Sequence, residues 1–146
     1  MILCVGEILA DLIANDNDGI VSYEKRAGGA PFNVACTIAK LGGEVSFAGN
    51  VGDDLIGKFL YDYAKTQNLK NNLINIDSKH NTTLAFVDLD SNGERSFCFY
   101  RKNTADYHLF DIDEQIIKSS NIIHIGSLML SELEDLIICS SISNKW

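Results

Sequence analysis

A bare glycine pair set directly before a proline and an apolar helical repeat constrains this chain more than any other stretch. It reads Ala27-Gly28-Gly29-Ala30-Pro31-Phe32-Asn33-Val34-Ala35 and runs on to Lys40-Leu41-Gly42-Gly43. Two glycines allow a tight turn where a side chain would clash. Pro31 suits a first helical position, because the N–H it lacks would have no partner there. Val34, Ile38 and Leu41 then recur at helical spacing, and Gly42 stops the run. With Asn33 in the first turn, such a helix start can hold a polar ligand by backbone N–H groups and one amide; on these residues alone a purely structural turn is the favoured reading.

At 146 residues the chain is long enough for one domain with a real core, and 46% hydrophobic residues place it among globular proteins. A formal net charge of -8 argues against nucleic acid or an anionic membrane surface as partner, since both need a basic face. No apolar stretch is long enough to span a bilayer, and Met1 to Glu7 has neither the basic segment nor the cleavage site of a signal peptide. A cytoplasmic protein is expected. Cys4, Cys36, Cys98 and Cys139 stand singly in apolar contexts, which predicts reduced, buried thiols. With His80, His108 and His124 equally dispersed, no metal site is expected.

Ile2 to Val5 is a wholly apolar strand, suited to the centre of a parallel sheet covered on both faces. Asp11 interrupts the apolar segment that follows; a carboxylate there either caps a local turn or waits for a ligand hydroxyl. Asn15 to Gly19 is a turn cluster without the closing glutamate of a calcium loop, and residues 7–14 and 20–26 can pair across it. Glu44 to Gly49 reads as a strand, and Asp53 or Asp54 caps a helix whose apolar face carries Leu55, Ile56, Phe59, Leu60 and Tyr63. Strand and helix alternation predicts an α/β layer with a mainly parallel sheet.

Residues 82–88 and 95–101 form two strands around Ser91-Asn92-Gly93-Glu94, a strong hairpin signal. Phe97, Phe99 and Arg101 fall on one face of the second strand. Such a face can close over something polar, or simply pack with Arg101 in solvent. A hairpin inserted into an α/β chain suggests a small separate sheet acting as a lid. A short helix lies between Asp111 and Ser120, Asn121 to Ser127 is again a buried parallel strand, and Ser131 to Glu134 opens a last helix. The tail from Cys139 to Trp146 loses periodicity.

Taken together, Gly28 to Ala35, Leu41-Gly42-Gly43 and Gly49-Asn50-Val51-Gly52-Asp53-Asp54 to Gly57 resemble the N-terminal signature of the ribokinase-like (PfkB) carbohydrate kinases. Gly6-Glu7, Ala30-Pro31, residues 82–87, Asn92 to Arg101, Ala105-Asp106 and His124 to Ser127 point to its fructokinase branch. The resemblance covers residues 1 to about 130. It implies a doubly wound, mainly parallel sheet with helices on both faces and a small antiparallel β-sheet lid, its strands at about 7–14, 20–26, 82–88 and 95–101. It also implies transfer of the ATP γ-phosphate, with Mg²⁺, to a sugar hydroxyl. Fructose leads; ribose, another ketose and 2-keto-3-deoxygluconate stay open. By the same resemblance Asp11, Gly28, Gly29 and Asn33 would hold sugar hydroxyls, Phe99 and Arg101 would approach from the lid, and two copies can pair through their lids.

The family's Gly-Ala-Gly-Asp loop, which supplies the catalytic aspartate and the anion hole, has no match in these residues. The expectation is therefore an N-terminal portion of one kinase domain, without the nucleotide-binding half, without a catalytic residue of its own, binding ATP and Mg²⁺ weakly if at all, and inactive alone. A non-catalytic sugar-binding or lid-dimerisation module and a degenerate gene product are the competing readings.

Overall fold

The computed structural model describes residues 1–89, 94–131 and 133–146. Four strands, β1 (Ile2–Val5), β4 (Val45–Gly52), β5 (Asn72–Asp77) and β8 (Ile122–Ile125), form a parallel sheet in the order β5-β4-β1-β8. The other four, β2 (Leu9–Asn17), β3 (Ile20–Gly28), β6 (Leu84–Leu89) and β7 (Arg95–Tyr100), make a second sheet in the order β3-β2-β6-β7. Helices α1 (Ala30–Lys40), α2 (Leu55–Lys65), α3 (Glu114–Lys118) and α4 (Leu133–Lys145) belong to the first layer.

Strand alternation separates two cores. Cys4 and Phe47 face α1 and α2, where Phe32, Ala35 and Leu60 pack; Leu3, Val5 and Ala48 face the other way, onto Ile117, Met129 and Ile142. Helices thus cover both faces of the parallel sheet, which is why all eight residues of β4 are buried. No helix among the described residues is long and apolar enough to cross a membrane.

The buried face of α1 differs from the expected one. Phe32, Ala35, Cys36 and Ala39 lie on the sheet, Val34 and Ile38 flank them, and Leu41 is exposed at the helix end. A helix lying this close to β1 and β4 admits small side chains plus one large plug, and Phe32 fills that place edge-on to Phe47, with ring centres 5.0 Å apart. In α2 the apolar face likewise starts one residue later than Leu55, which is exposed. Asp54 is the cap, accepting from the Gly57 N–H at 2.7 Å.

The second sheet is mixed, where the sequence predicts a purely antiparallel lid: β2 pairs antiparallel with β3 and β6 with β7, but β2 and β6 run parallel. The reason is connectivity, since β6 enters the lid from β5 of the main sheet and not through a hairpin from β2. Strand β2 runs on to Asn17, and the turn shrinks to Asp18-Gly19, both at positive φ (54° and 83°) as in a two-residue hairpin turn. The expected Asn92-Gly93 turn lies outside the described residues.

Two further expectations are corrected. The tail is helical to Lys145, because Ile138, Cys139 and Ile142 share one face and pack on the core, which outweighs the weak helix propensity of the serines. Trp146 ends it with its indole N–H on the Ser120 carbonyl at 2.9 Å. All four cysteines are reduced thiols, but only Cys4 and Cys36 are buried; Cys98 is exposed on β7, a strand open to solvent on both faces. Burial pushes the Cys4 thiol up to about 11.

Candidate functional site

Strand order reverses at β1, with β4 on one side and β8 on the other, and in such sheets the crevice at the carboxyl ends of the strands is the place for a ligand. There the structure has a cavity of about 320 Å³, lined by Glu7, Leu9, Asp11, Gly29, Ala30 and Asn33 below and by Arg95, Phe97 and Phe99 of β7 above, with Ser127 and Leu128 closing one side.

Helix α1 begins at this cavity for local reasons. Gly29 has φ 107° and a Cβ on it would sit 3.1 Å from the Ile8 Cα, so only glycine lets the turn pass so close to the chain after β1. Gly29, at the N-cap position, has no side chain to cap the helix; the Ala30 N–H donates instead to the Glu7 carboxylate at 3.2 Å. Gly28 has the complementary role. A Cβ there would lie 2.9 Å from the Asp11 Cγ, so the missing side chain makes room for the carboxylate opposite. Burial pushes the Asp11 carboxyl above the usual range, and the Arg95 guanidinium partly offsets this.

The structure brings Asp11, Gly29, Asn33 and Phe99 to one cavity, with Gly28 behind Asp11. Arg101 sits elsewhere. Strand β7 ends at Tyr100, so the alternation that would align Arg101 with Phe97 and Phe99 stops one residue short. Its side chain, 8% exposed, lies over the Tyr107 ring at 4.0 Å with Nε 2.5 Å from the Asp106 carboxylate. Asp106 also accepts from the Thr83 hydroxyl and, at 2.7 Å, from that of Thr104. This network ties the segment entering β6 to the segment leaving β7, at the root of the lid, beside a wider opening of about 1030 Å³ that Phe99, Tyr100 and Arg101 also line.

Sequence pattern passes over Glu7, Arg95 and Ser127 as lining groups. Glu7 and Ser127 each stand two residues beyond a parallel strand, β1 and β8, which is the signal that marks them. No three His, Cys, Asp or Glu side chains gather as metal ligands would among the described residues. The Ala30 N–H at the start of α1 donates to Glu7, and Asp11 lines the same cavity, so its two carboxylates suit the hydroxyls of an uncharged polyol and repel a triphosphate.

The family profile of the pfkB family carbohydrate kinases matches residues 1–140. The chain belongs to this family. A probable fructokinase-7 of Arabidopsis thaliana is 37% identical over 138 residues, 90% of this chain and 40% of that protein. A fructokinase from Xylella fastidiosa superposes with a TM-score of 0.88 at 35% identity, over 99% of this chain and 46% of that one, and a second structure of it carries ATP. The Vibrio cholerae fructokinase with fructose, ADP and calcium bound gives 0.80 at 31% identity, over 99% of this chain and 48% of that one. This pfkB-family chain thus spans about 40% of the curated relative and about half of the solved ones.

Proposed function

We propose that these residues form the sugar-holding part of a fructokinase-type kinase, which phosphorylates a hydroxyl of fructose with ATP. The observation that carries the reading is the placement of Asp11 against Gly28, at the carboxyl end of the parallel strands and under Phe97 and Phe99. A sugar presents hydroxyl donors and acceptors around an apolar ring edge; Asp11 and the Asn33 amide answer the first, the two phenyl rings the second. Arg101 acts on the sugar only indirectly, by fixing the end of the strand that carries Phe99. Closing the lid would hold the sugar in one orientation and keep water from the hydroxyl.

Calorimetric titration of the chain with D-fructose tests this; binding with a dissociation constant of about 1 mM or tighter is expected. No heat in the tens-of-millimolar range would overturn it. Because the Gly-Ala-Gly-Asp loop that supplies the family's catalytic aspartate has no match in these residues, a coupled ADP-release assay of this chain with fructose and Mg-ATP should stay at background. Steady turnover would show that these 146 residues also supply the phosphoryl-donor side.

The lid also favours a second use. Phe97, Phe99 and Tyr100 on β7 are 52%, 47% and 61% exposed, and Ile20, Val21 and Tyr23 add apolar surface on β3 at the other edge. Open strand edges with exposed aromatics pair readily with a second copy. Sedimentation equilibrium should therefore show a dimer that Phe97→Asp disperses; a monomer at all concentrations rules the pairing out.

A further inference from the structure

Glu7 is the one side chain of the cavity with an unsatisfied buried atom among the described residues. It is 1% exposed, and its Oε2 has no hydrogen-bond partner there. Its Oε1 accepts from the Ala30 N–H at 3.2 Å and from the Ser127 hydroxyl at 3.3 Å. The first is at the long end of the roughly 2.7–3.2 Å range for N–H donors, and the second lies beyond the roughly 2.5–3.0 Å range for hydroxyl donors. The Ser127 contact in particular therefore holds the carboxylate weakly and leaves Oε2 able to turn toward the cavity. A buried carboxylate oxygen left without a donor is costly, and such an atom calls for a donor beyond the described side chains, which in a ligand cavity is a ligand hydroxyl or a water.

From this we infer that Glu7 is a specificity-determining residue for the acceptor: its Oε2 takes a hydrogen bond from one sugar hydroxyl on the sheet side of the cavity, opposite Asp11. The inference rests on the sugar reading of the cavity and adds to it a second carboxylate grip. Two carboxylates facing one small volume favour a neutral polyhydroxy sugar, whose hydroxyls donate to both, and oppose a sugar acid, whose own carboxylate would meet Glu7 or Asp11. Arg95 lines the same cavity from β7 and partly offsets the charge of Asp11, so the repulsion of a sugar acid falls mainly on Glu7.

The test uses the whole chain, D-fructose, its monodeoxy analogues and 2-keto-D-gluconate. Glu7→Gln keeps the shape and an acceptor for Ala30. It should weaken fructose about tenfold, leave unchanged the affinity of the one deoxy analogue that lacks the contacted hydroxyl, and narrow the preference over 2-keto-D-gluconate. In unsubstituted protein carrying ¹³C-labelled glutamate carboxyls, saturation with fructose should move one buried carboxyl resonance, and that analogue should not; this arm holds even if the variant folds poorly. If fructose binds but no such resonance moves and the variant binds every analogue as the parent does, the assignment of Glu7 is overturned and the sugar cavity stands. If fructose does not bind the parent chain at all, both fall together.

Discussion

At neutral pH, Asp11→Asn is expected to lower the affinity for fructose about 100-fold, roughly 2.7 kcal/mol, while raising the thermal midpoint of the chain. The loss comes from trading a charged acceptor for an amide that presents a donor to the same hydroxyl. The gain in stability follows from the direction of the Asp11 shift. Burial raises this carboxyl above its ordinary value of 3.8, with Arg95 offsetting part of the rise. A group raised on folding contributes stability that is complete below its unfolded pKa and is lost as pH rises through its folded pKa. At neutral pH the charged Asp11 therefore works against folding, and removing the charge helps. Below about pH 3 both states are protonated and the two proteins should melt alike. Paired melting curves at pH 7 and pH 3 check the sign; a variant less stable than the parent at pH 7 contradicts the assignment of burial as the cause. A cavity that holds a carboxylate at the expense of fold stability is the usual sign of a site kept for binding.

The second large effect is expected at the root of the lid. Asp106→Ala removes, in one step, the acceptor for the Thr83 and Thr104 hydroxyls and the carboxylate beside the Arg101 guanidinium, in a place where the Asp106 and Arg101 side chains are 1% and 8% exposed. Breaking such a buried pair costs about 3 kcal/mol, which for a chain of this length lowers the melting midpoint by about 10 °C. Asp106→Asn keeps an acceptor for the threonines and loses only the charge, so it should lie between parent and alanine variant. A shift under about 2 °C for the alanine variant would mean the network is dispensable. Fructose binding should weaken as well, because Phe99 stands at the end of the strand this network holds.

Gly28-Gly29 and Pro31 announce a turn into a helix from their backbone chemistry alone, and Asp11 is conspicuous in an apolar segment, so the floor of the cavity is legible in the sequence. The buried face of α1 is less legible, because Val34, Ile38 and Leu41 make the louder apolar repeat while the sheet accepts the quieter Ala35, Cys36 and Ala39. The parallel pairing of β2 with β6 depends on where β6 enters the lid, a long-range matter that no local pattern encodes. Arg101 misleads for a different reason: period-two alternation holds only while the strand lasts, and β7 stops at Tyr100. Glu7 is visible as part of a family marker, but its loosely held carboxylate is a property of three segments meeting, after β1, at the start of α1 and after β8.

Trp146, whose indole donates to Ser120, is the sole tryptophan of the chain. Asn121, next in sequence to that Ser120, bonds to Met1, so this contact lies at the amino ends of β1 and β8, the full depth of the sheet away from the cavity at their carboxyl ends. Emission excited at the red edge therefore comes from a single corner that knows whether α4 is docked on the core and knows nothing of the lid. That makes it a clean reporter of global unfolding for every variant described, and a silent one in a sugar titration, where a change in tryptophan signal would betray disturbance of the fold itself.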